Sequence, residues 1–212
     1  MIHTVFLVRH GQTVWNLEKR IQGRLNSPLT DLGREQARVS ASVLKKENVT
    51  RIIASPADRV RETLNQMRCV LDVPISFDKR LLERDMGMWE QMEWDTVKRN
   101  WAIDYKRCRN NPRTERPPHG ESLQDVENRL SSLLNELSAN TSENEGNIAL
   151  VSHGGTTRSI FRWFGVMEQP EFQNIRFHND VVYRLMFDDR EFYVSHYVAG
   201  EGPIEGVCTE IR

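Results

Sequence analysis

Two short stretches of this chain repeat one pattern. Leu7-Val8-Arg9-His10-Gly11 and Leu150-Val151-Ser152-His153-Gly154 each run Leu-Val, a polar residue, His, Gly. Each closes an apolar run without polar alternation, which fits a strand covered on both faces. Open α/β sheets bind ligands beyond the carboxyl ends of their strands, so two such strands could present two imidazoles to one hollow. The glycine after each histidine permits close backbone approach and a sharp exit turn. One histidine alone is more often a packed, satisfied residue than a reactive one; two in matching contexts reverse that expectation. Arg9 precedes His10, Arg59 and Arg61 follow the run Arg51–Ser55, and Glu83 follows Pro74–Phe77. This inventory suits a phosphoryl group. Planar guanidiniums hold its oxygens bidentately, and a neutral imidazole can attack phosphorus. A carboxylic acid can protonate the departing oxygen and later take a proton from water.

These residues need a frame to position them. Strand-like runs at Val5–Val8, Arg51–Ser55 and Asn147–Ser152 alternate with helical patterns. Thr30 reads as the N-cap of a helix reaching about Lys46, and Pro56 as the start of a second helix toward Leu71. Ser122-Leu123-Gln124-Asp125 reads as a capping box ahead of Val126, Leu130, Leu133 and Leu137, which share one helix face. Gly154-Gly155 opens another helix that ends near Gly165. The expected fold class is α/β: a three-layer sandwich with a mostly parallel central sheet and helices on both faces. Val181–Phe187 and Glu191–Val198 read as a C-terminal hairpin at or beside a sheet edge, and Ala199–Arg212 as a tail or lid. The expected organisation is one domain over residues 1–212 with a small helical cap insertion at about 88–120.

The chain has 212 residues, 38% hydrophobic and 28% charged, with 29 basic and 30 acidic side chains. That excludes a disordered chain and a histone-like polycation. No apolar run is long enough to span a membrane, and no signal peptide is visible at the N-terminus. Cys69, Cys108 and Cys208 are odd in number and widely spaced, so they read as free thiols of a cytoplasmic protein. Between Lys98 and Arg116 seven basic residues face two acidic ones, a local excess of five positive charges. A solvated helix face and a cap over an anion site are equally good readings of it. Nucleic acid is disfavoured, because a neutral chain without a binding module lacks the electrostatic footprint.

Arg9-His10-Gly11-Gln12-Thr13, with Trp15-Asn16 close behind, resembles the signature of the histidine phosphatase superfamily, in its phosphoglycerate-mutase-like branch. The resemblance continues through Arg20-Ile21-Gln22-Gly23, Ser27-Pro28-Leu29-Thr30, Gly33, Gln36-Ala37 and Ser55 to Thr63. It then takes in Leu82-Glu83 with Gly87, Trp89-Glu90, Gly120-Glu121-Ser122 and Ser152-His153-Gly154. Ordered matches cover residues 5 to about 165. The resemblance implies that His10 is the nucleophile and carries a transient phosphohistidine. It implies that Arg9, Arg59 and His153 hold the phosphoryl oxygens, His153 in its protonated form. Asn16, the backbone near Gln22-Gly23, and Gly154 would complete the pocket, Arg61 would be a second substrate contact, and Glu83 the general acid and then base. No metal or other cofactor is implied.

The family's cofactor-dependent mutases show Glu-Arg-His-Tyr-Gly at the acid, where this chain has Glu83-Arg84-Asp85-Met86-Gly87, and a carboxylate at Asp85 would repel a bisphosphate. Gln91 stands where glycine is usual. The leading expectation is therefore a phosphatase that hydrolyses a small-metabolite phosphomonoester. The alternative is a mutase moving phosphoryl between two hydroxyls of one substrate, with Lys98–Arg116 as its best support. A catalytically idle phosphate binder is disfavoured by the complete residue set. A metallohydrolase using His10, His119 and His153 lacks any metal-ligand spacing. Sugar phosphates, phosphoglycerates, a ribazole phosphate and phosphoserine all remain open as substrates. The expected partner is a small phosphorylated metabolite, and solvent-facing Trp94 or Trp101 could mark a homodimer contact.

Overall fold

The computed structural model describes residues 3–139, 146–166, 175, 177–187 and 192–208. Among these, seven strands form one mixed sheet: β1 (His3–Arg9), β2 (Val49–Ala54), β3 (Ile75–Phe77), β4 (Asn147–Ser152), β5 (Val181–Phe187), β6 (Phe192–Val198) and β7 (Glu201–Glu205). Their order is β3-β2-β4-β1-β5-β6-β7. The half β3-β2-β4-β1 is parallel and β5, β6 and β7 are added antiparallel. The helices are α1 (Val14–Leu17), α2 (Asp31–Lys46), α3 (Asp58–Met67), α4 (Trp94–Asn100), α5 (Ala102–Asn110), α6 (Leu123–Ala139) and α7 (Gly154–Trp163).

Alternation along the central strands explains the three layers. Leu7 and Leu150 point into one apolar cluster, which α6 and α7 complete with Val126, Leu130, Leu133, Ile160 and Phe161. Phe6, Val8, Ala149 and Val151 point into the other, completed by Ala37, Ala41 and Leu44 of α2 and Val60, Leu64 and Met67 of α3. A strand buried on both faces must be apolar along its buried length, and β1 is from Val5 to Val8 and β4 from Ile148 to Val151. Thr30 caps α2, its side chain accepting from the Gly33 N–H at 3.0 Å. The Ser122–Asp125 box is present reciprocally: Ser122 Oγ accepts from the Asp125 N–H at 3.1 Å, and the Asp125 carboxylate from the Ser122 N–H at 2.8 Å.

Three expectations need correction. Helix α3 begins at Asp58 rather than Pro56, because Ala57 is still extended at φ −61°, ψ 142°. The residues 201–205 that follow the C-terminal hairpin are a strand and not a tail or lid. Strand β5 pairs with central β1, and the supposed tail supplies β7, which pairs with β6 and becomes the edge. The excess charge of Lys98–Arg116 is reduced in place, four of its seven basic residues being ion-paired. Lys98 pairs with Asp95, Arg107 with Asp104 and Glu115, Arg113 with Glu127, and Arg116 with Asp125. Helices α4 and α5 sit over a third small cluster of Ile21, Met86, Trp89, Val97 and Cys108. Trp101 packs partly against it, whereas Trp94 is 44% exposed. No helix among the described residues is long and apolar enough to cross a membrane.

Candidate active site

Strand order sets the site. In the parallel half, the residues beyond the carboxyl ends of β3, β2, β4 and β1 are Glu83, Arg59, His153 and His10. Register makes the two histidines neighbours: Arg9 pairs with Ser152, and the His10 N–H donates to the Ser152 carbonyl at 3.0 Å. The two rings meet edge to face with centroids 5.3 Å apart, and both side chains are buried. Gly11 makes the exit turn after His10 possible, since a Cβ there would stand 2.1 Å from the Gly33 carbonyl oxygen.

Hydrogen bonds fix the state of His10. Its Nδ1 lies 2.8 Å from the Gly11 carbonyl oxygen. A carbonyl only accepts, so Nδ1 carries the proton. Nε2 is then bare, and it accepts from Nε of Arg59 at 3.2 Å. Burial, and after it the charges of Arg59 and Arg9, hold the His10 pKa well below the ordinary histidine value. His10 is thus a neutral imidazole with a lone pair on Nε2. Asn179 donates to its carbonyl oxygen at 2.7 Å, and Thr63 Oγ1 accepts from the Gly11 N–H at 3.1 Å while donating to the Arg59 carbonyl at 2.7 Å.

Arg59 is buried and spans the gap between His10 and the loop at residues 23–26. It donates to the carbonyls of Gly23 at 2.8 Å and Leu25 at 2.7 Å, and to Asn26 Oδ1 at 2.9 Å. Burial lowers its pKa to about 10, so it stays charged at neutral pH. Arg9 donates to the Phe177 carbonyl, and its buried Nε has no partner among the described residues.

His153 has one ring nitrogen engaged. Its Nε2 lies 2.8 Å from Ser55 Oγ and its buried Nδ1 has no partner among the described residues. Burial first, then the charges of Arg59, His10 and Arg9, push its pKa well below the ordinary value. The neutral form is therefore the resting form, because burial and the cations Arg59 and Arg9 both oppose a further positive charge. Glu83 is half-buried, and its carboxylate accepts from the Gly155 N–H at 3.0 Å, at the start of α7, and from the Arg84 N–H at 2.9 Å.

The remaining expected residues divide. Gln22 is buried and donates to Thr13 Oγ1 at 2.7 Å, and its Oε1 has no partner among the described residues. Asn16 spends its Oδ1 on the Thr13 N–H at 3.2 Å, so only Nδ2 could reach an anion. Gly23 contributes its carbonyl to Arg59. Gly154 lies beside the Arg9 guanidinium, with 3.5 Å between Cζ and the position of an added Cβ. Arg61 is not drawn into this group. It donates to the Pro56 carbonyl at 3.0 Å and covers the Phe77 ring at 4.0 Å. Among the described residues no group of three His, Cys, Asp or Glu could hold a metal ion.

Two imidazoles, two buried guanidiniums and a carboxyl at the ends of parallel strands define a phosphoryl-transfer class of site. The model of the histidine phosphatase superfamily (branch 1) matches residues 5–199, and the chain belongs to that family. An Escherichia coli protein named "Probable phosphoglycerate mutase GpmB" is 37% identical over 153 residues, 71% of this chain and 69% of that one. A mycobacterial glucosyl-3-phosphoglycerate phosphatase complexed with VO3 superposes with TM-score 0.74 at 27% identity, covering 86% of this chain and 90% of that one. The alpha-ribazole phosphatase from Shigella flexneri superposes with TM-score 0.78 at 23% identity over 96% and 98%, a likeness of fold.

Proposed function

We propose that the protein is a metal-independent phosphomonoesterase acting on a small phosphorylated metabolite through a phosphohistidine at His10. The observation that carries this reading is the state of His10: buried, neutral, protonated on Nδ1, with Nε2 held toward a guanidinium. In the first step Nε2 attacks phosphorus, the N–P bond forms as the ester P–O bond breaks, and Glu83 gives a proton to the departing oxygen. In the second, Glu83 takes a proton from water, the water oxygen attacks phosphorus, and the N–P bond breaks to release inorganic phosphate. Arg9, Arg59 and the open Nδ1 of His153 face the charge that spreads over the three phosphoryl oxygens in both steps, the contribution expected to be largest. Gln22, Asn16 and Gly154 line the same place, and Arg61 would contact only a substrate that extends to Phe77. The α4–α5 region, residues about 88–120, acts as the cap. Three free thiols, Cys69 exposed and Cys108 and Cys208 buried, support a cytoplasmic setting.

The likeness to the protein named as a phosphoglycerate mutase favours a second reading, return of the phosphoryl to another hydroxyl. Two observations weigh against it. The cations offered to a bisphosphate by Lys98–Arg116 are largely paired, and Asp85 holds a carboxylate at the acid loop, accepting from the Gly87 N–H at 2.8 Å. Phosphoglycerate interconversion assayed with and without bisphosphoglycerate separates the two. Phosphate release that ignores the primer supports the phosphatase, and primer-dependent interconversion supports the mutase. A panel of phosphorylated metabolites compared by kcat/KM then ranks substrates, since that ratio reports transition-state discrimination.

A further inference from the structure

Glu90 lies outside the set of reacting groups, yet it joins the loops on which they depend. Its Oε1 accepts from the Arg24 N–H at 2.7 Å and the Met86 N–H at 3.2 Å, and its Oε2 from the Leu25 N–H at 3.2 Å. One carboxylate thus gathers three backbone donors from two separate loops. Gly23 makes room for it: with φ +52°, an added Cβ would stand 1.9 Å from Glu90 Oε1. The same loop turns its carbonyls the other way. Gly23 O and Leu25 O, with Asn26 Oδ1, accept both terminal nitrogens of Arg59. Because a guanidinium is rigid and planar, fixing both terminal nitrogens also fixes the direction of Nε, which points at Nε2 of His10. The Met86 contact ties the chain three residues after Glu83 to the same carboxylate.

We propose that Glu90 is a positioning residue for phosphoryl transfer, clamping the loop at 23–25 so that Arg59 is aimed at His10 Nε2. This rests on the reading of His10 as the phosphoryl acceptor. Glu121 supplies the comparison. It too is a half-buried carboxylate in this neighbourhood, accepting from the Asp85 N–H at 3.0 Å and pairing with Arg24 and Arg129. It reaches the loop at 23–25 through the Arg24 side chain alone, not through the backbone whose carbonyls hold Arg59. If Glu90 merely glued loops together, the two residues would behave alike.

The test uses the full chain with Glu90→Ala, Glu90→Gln and Glu121→Gln. Three readouts are taken: thermal unfolding, the imidazole titration of residue 10 by nitrogen NMR, and affinity for inorganic vanadate. His10 is faced by Arg9, Arg59, His153 and the Gly11 carbonyl, so loosening Arg59 alone moves its titration midpoint upward. Glu90→Ala should raise that midpoint, weaken vanadate binding by about 10- to 100-fold and lower kcat more than it raises KM. Glu90→Gln keeps an oxygen for Arg24 and Met86 and loses Leu25, so its shift should have the same sign and smaller size. Glu121→Gln should lower the unfolding temperature and leave the His10 midpoint in place. A folded Glu90→Ala or Glu90→Gln with an unchanged His10 midpoint and vanadate affinity within twofold of wild type overturns the proposal. The titration needs no turnover. A wild-type protein that hydrolyses no phosphomonoester would therefore count against the function, and the Glu90 result would still be scored separately.

Discussion

His10 and His153 hold the same place in matching pentads on adjacent parallel strands, yet their ring nitrogens are engaged differently. His10 has both ring nitrogens engaged, Nδ1 donating to a carbonyl and Nε2 accepting from a guanidinium. His153 has one engaged, by the Ser55 hydroxyl, and one open. The local sequence is not what separates them, since both rings follow a Leu-Val strand and precede a glycine. The partners do: the carbonyl of Gly11 next in the chain and Arg59 from the first turn of α3 engage His10, and Ser55 from the β2–α3 connection engages His153. On the proposed reading, the carbonyl against Nδ1 leaves Nε2 of His10 to act as nucleophile. The hydroxyl against Nε2 can donate to it and leave the proton on Nδ1, so that His153 would serve as a neutral donor for an incoming oxygen.

That contrast can be broken from either side. The largest effect is expected from His10→Ala, a loss in kcat on the order of 10⁴ or more with the fold retained; steady-state hydrolysis and circular dichroism check it. His153→Ala should cost about 10²–10³ in kcat, the range for removing one donor to a developing oxyanion. Near-native turnover in that variant would make the open Nδ1 incidental. Both imidazoles have depressed folded-state pKa values, so the sign of the stability effect is fixed. Below about pH 6.5 the unfolded chain binds protons that the folded chain refuses, and stability falls as pH falls. Urea midpoints measured from pH 8 to pH 5 should show this slope, and His153→Ala should flatten it. The smallest effect belongs to Ser55→Ala. It should lower kcat/KM by about 2- to 10-fold, the worth of one hydrogen bond, with Ser55→Thr restoring part of it. A silent Ser55→Ala would show that the hydroxyl does not set the His153 tautomer.

The parallel half of the fold and the two histidines were legible because each feature is local: an apolar run, a polar residue, a histidine, a glycine. Arg59 and Glu83 were legible from their places just after strand-like runs. Asn26, Asn179 and Thr63 were not. Each is a common polar residue whose partner lies far along the chain, although Thr63 stands one helical turn after Arg59 and shares its face. Ser55 and Glu90 belong to runs that carry the family resemblance, but their contacts emerge only when the loops meet. The charge surplus of Lys98–Arg116 is smaller in the fold than along the sequence for a related reason, since three of its counter-charges, Asp95, Asp125 and Glu127, sit outside the counted window. Strand β7 was hidden by Gly200, Gly202 and Pro203, residues that weaken a strand pattern and that an edge strand tolerates. Gln91 shows the reverse case. It holds φ +68°, the left-handed region that favours glycine, pinned by its N–H to the Ile21 carbonyl at 2.8 Å.

The central claim is that a covalent phosphoryl group rests on one particular nitrogen. Rapid acid-free quenching of the enzyme with a turning-over phosphomonoester, followed by phosphorus NMR and peptide mass spectrometry, tests it directly. A phosphoramidate on Nε2 of residue 10, absent from His10→Ala, is the predicted outcome. Label on residue 153 or on an oxygen, or rapid hydrolysis with no labelled protein under conditions that trap such intermediates, would contradict it.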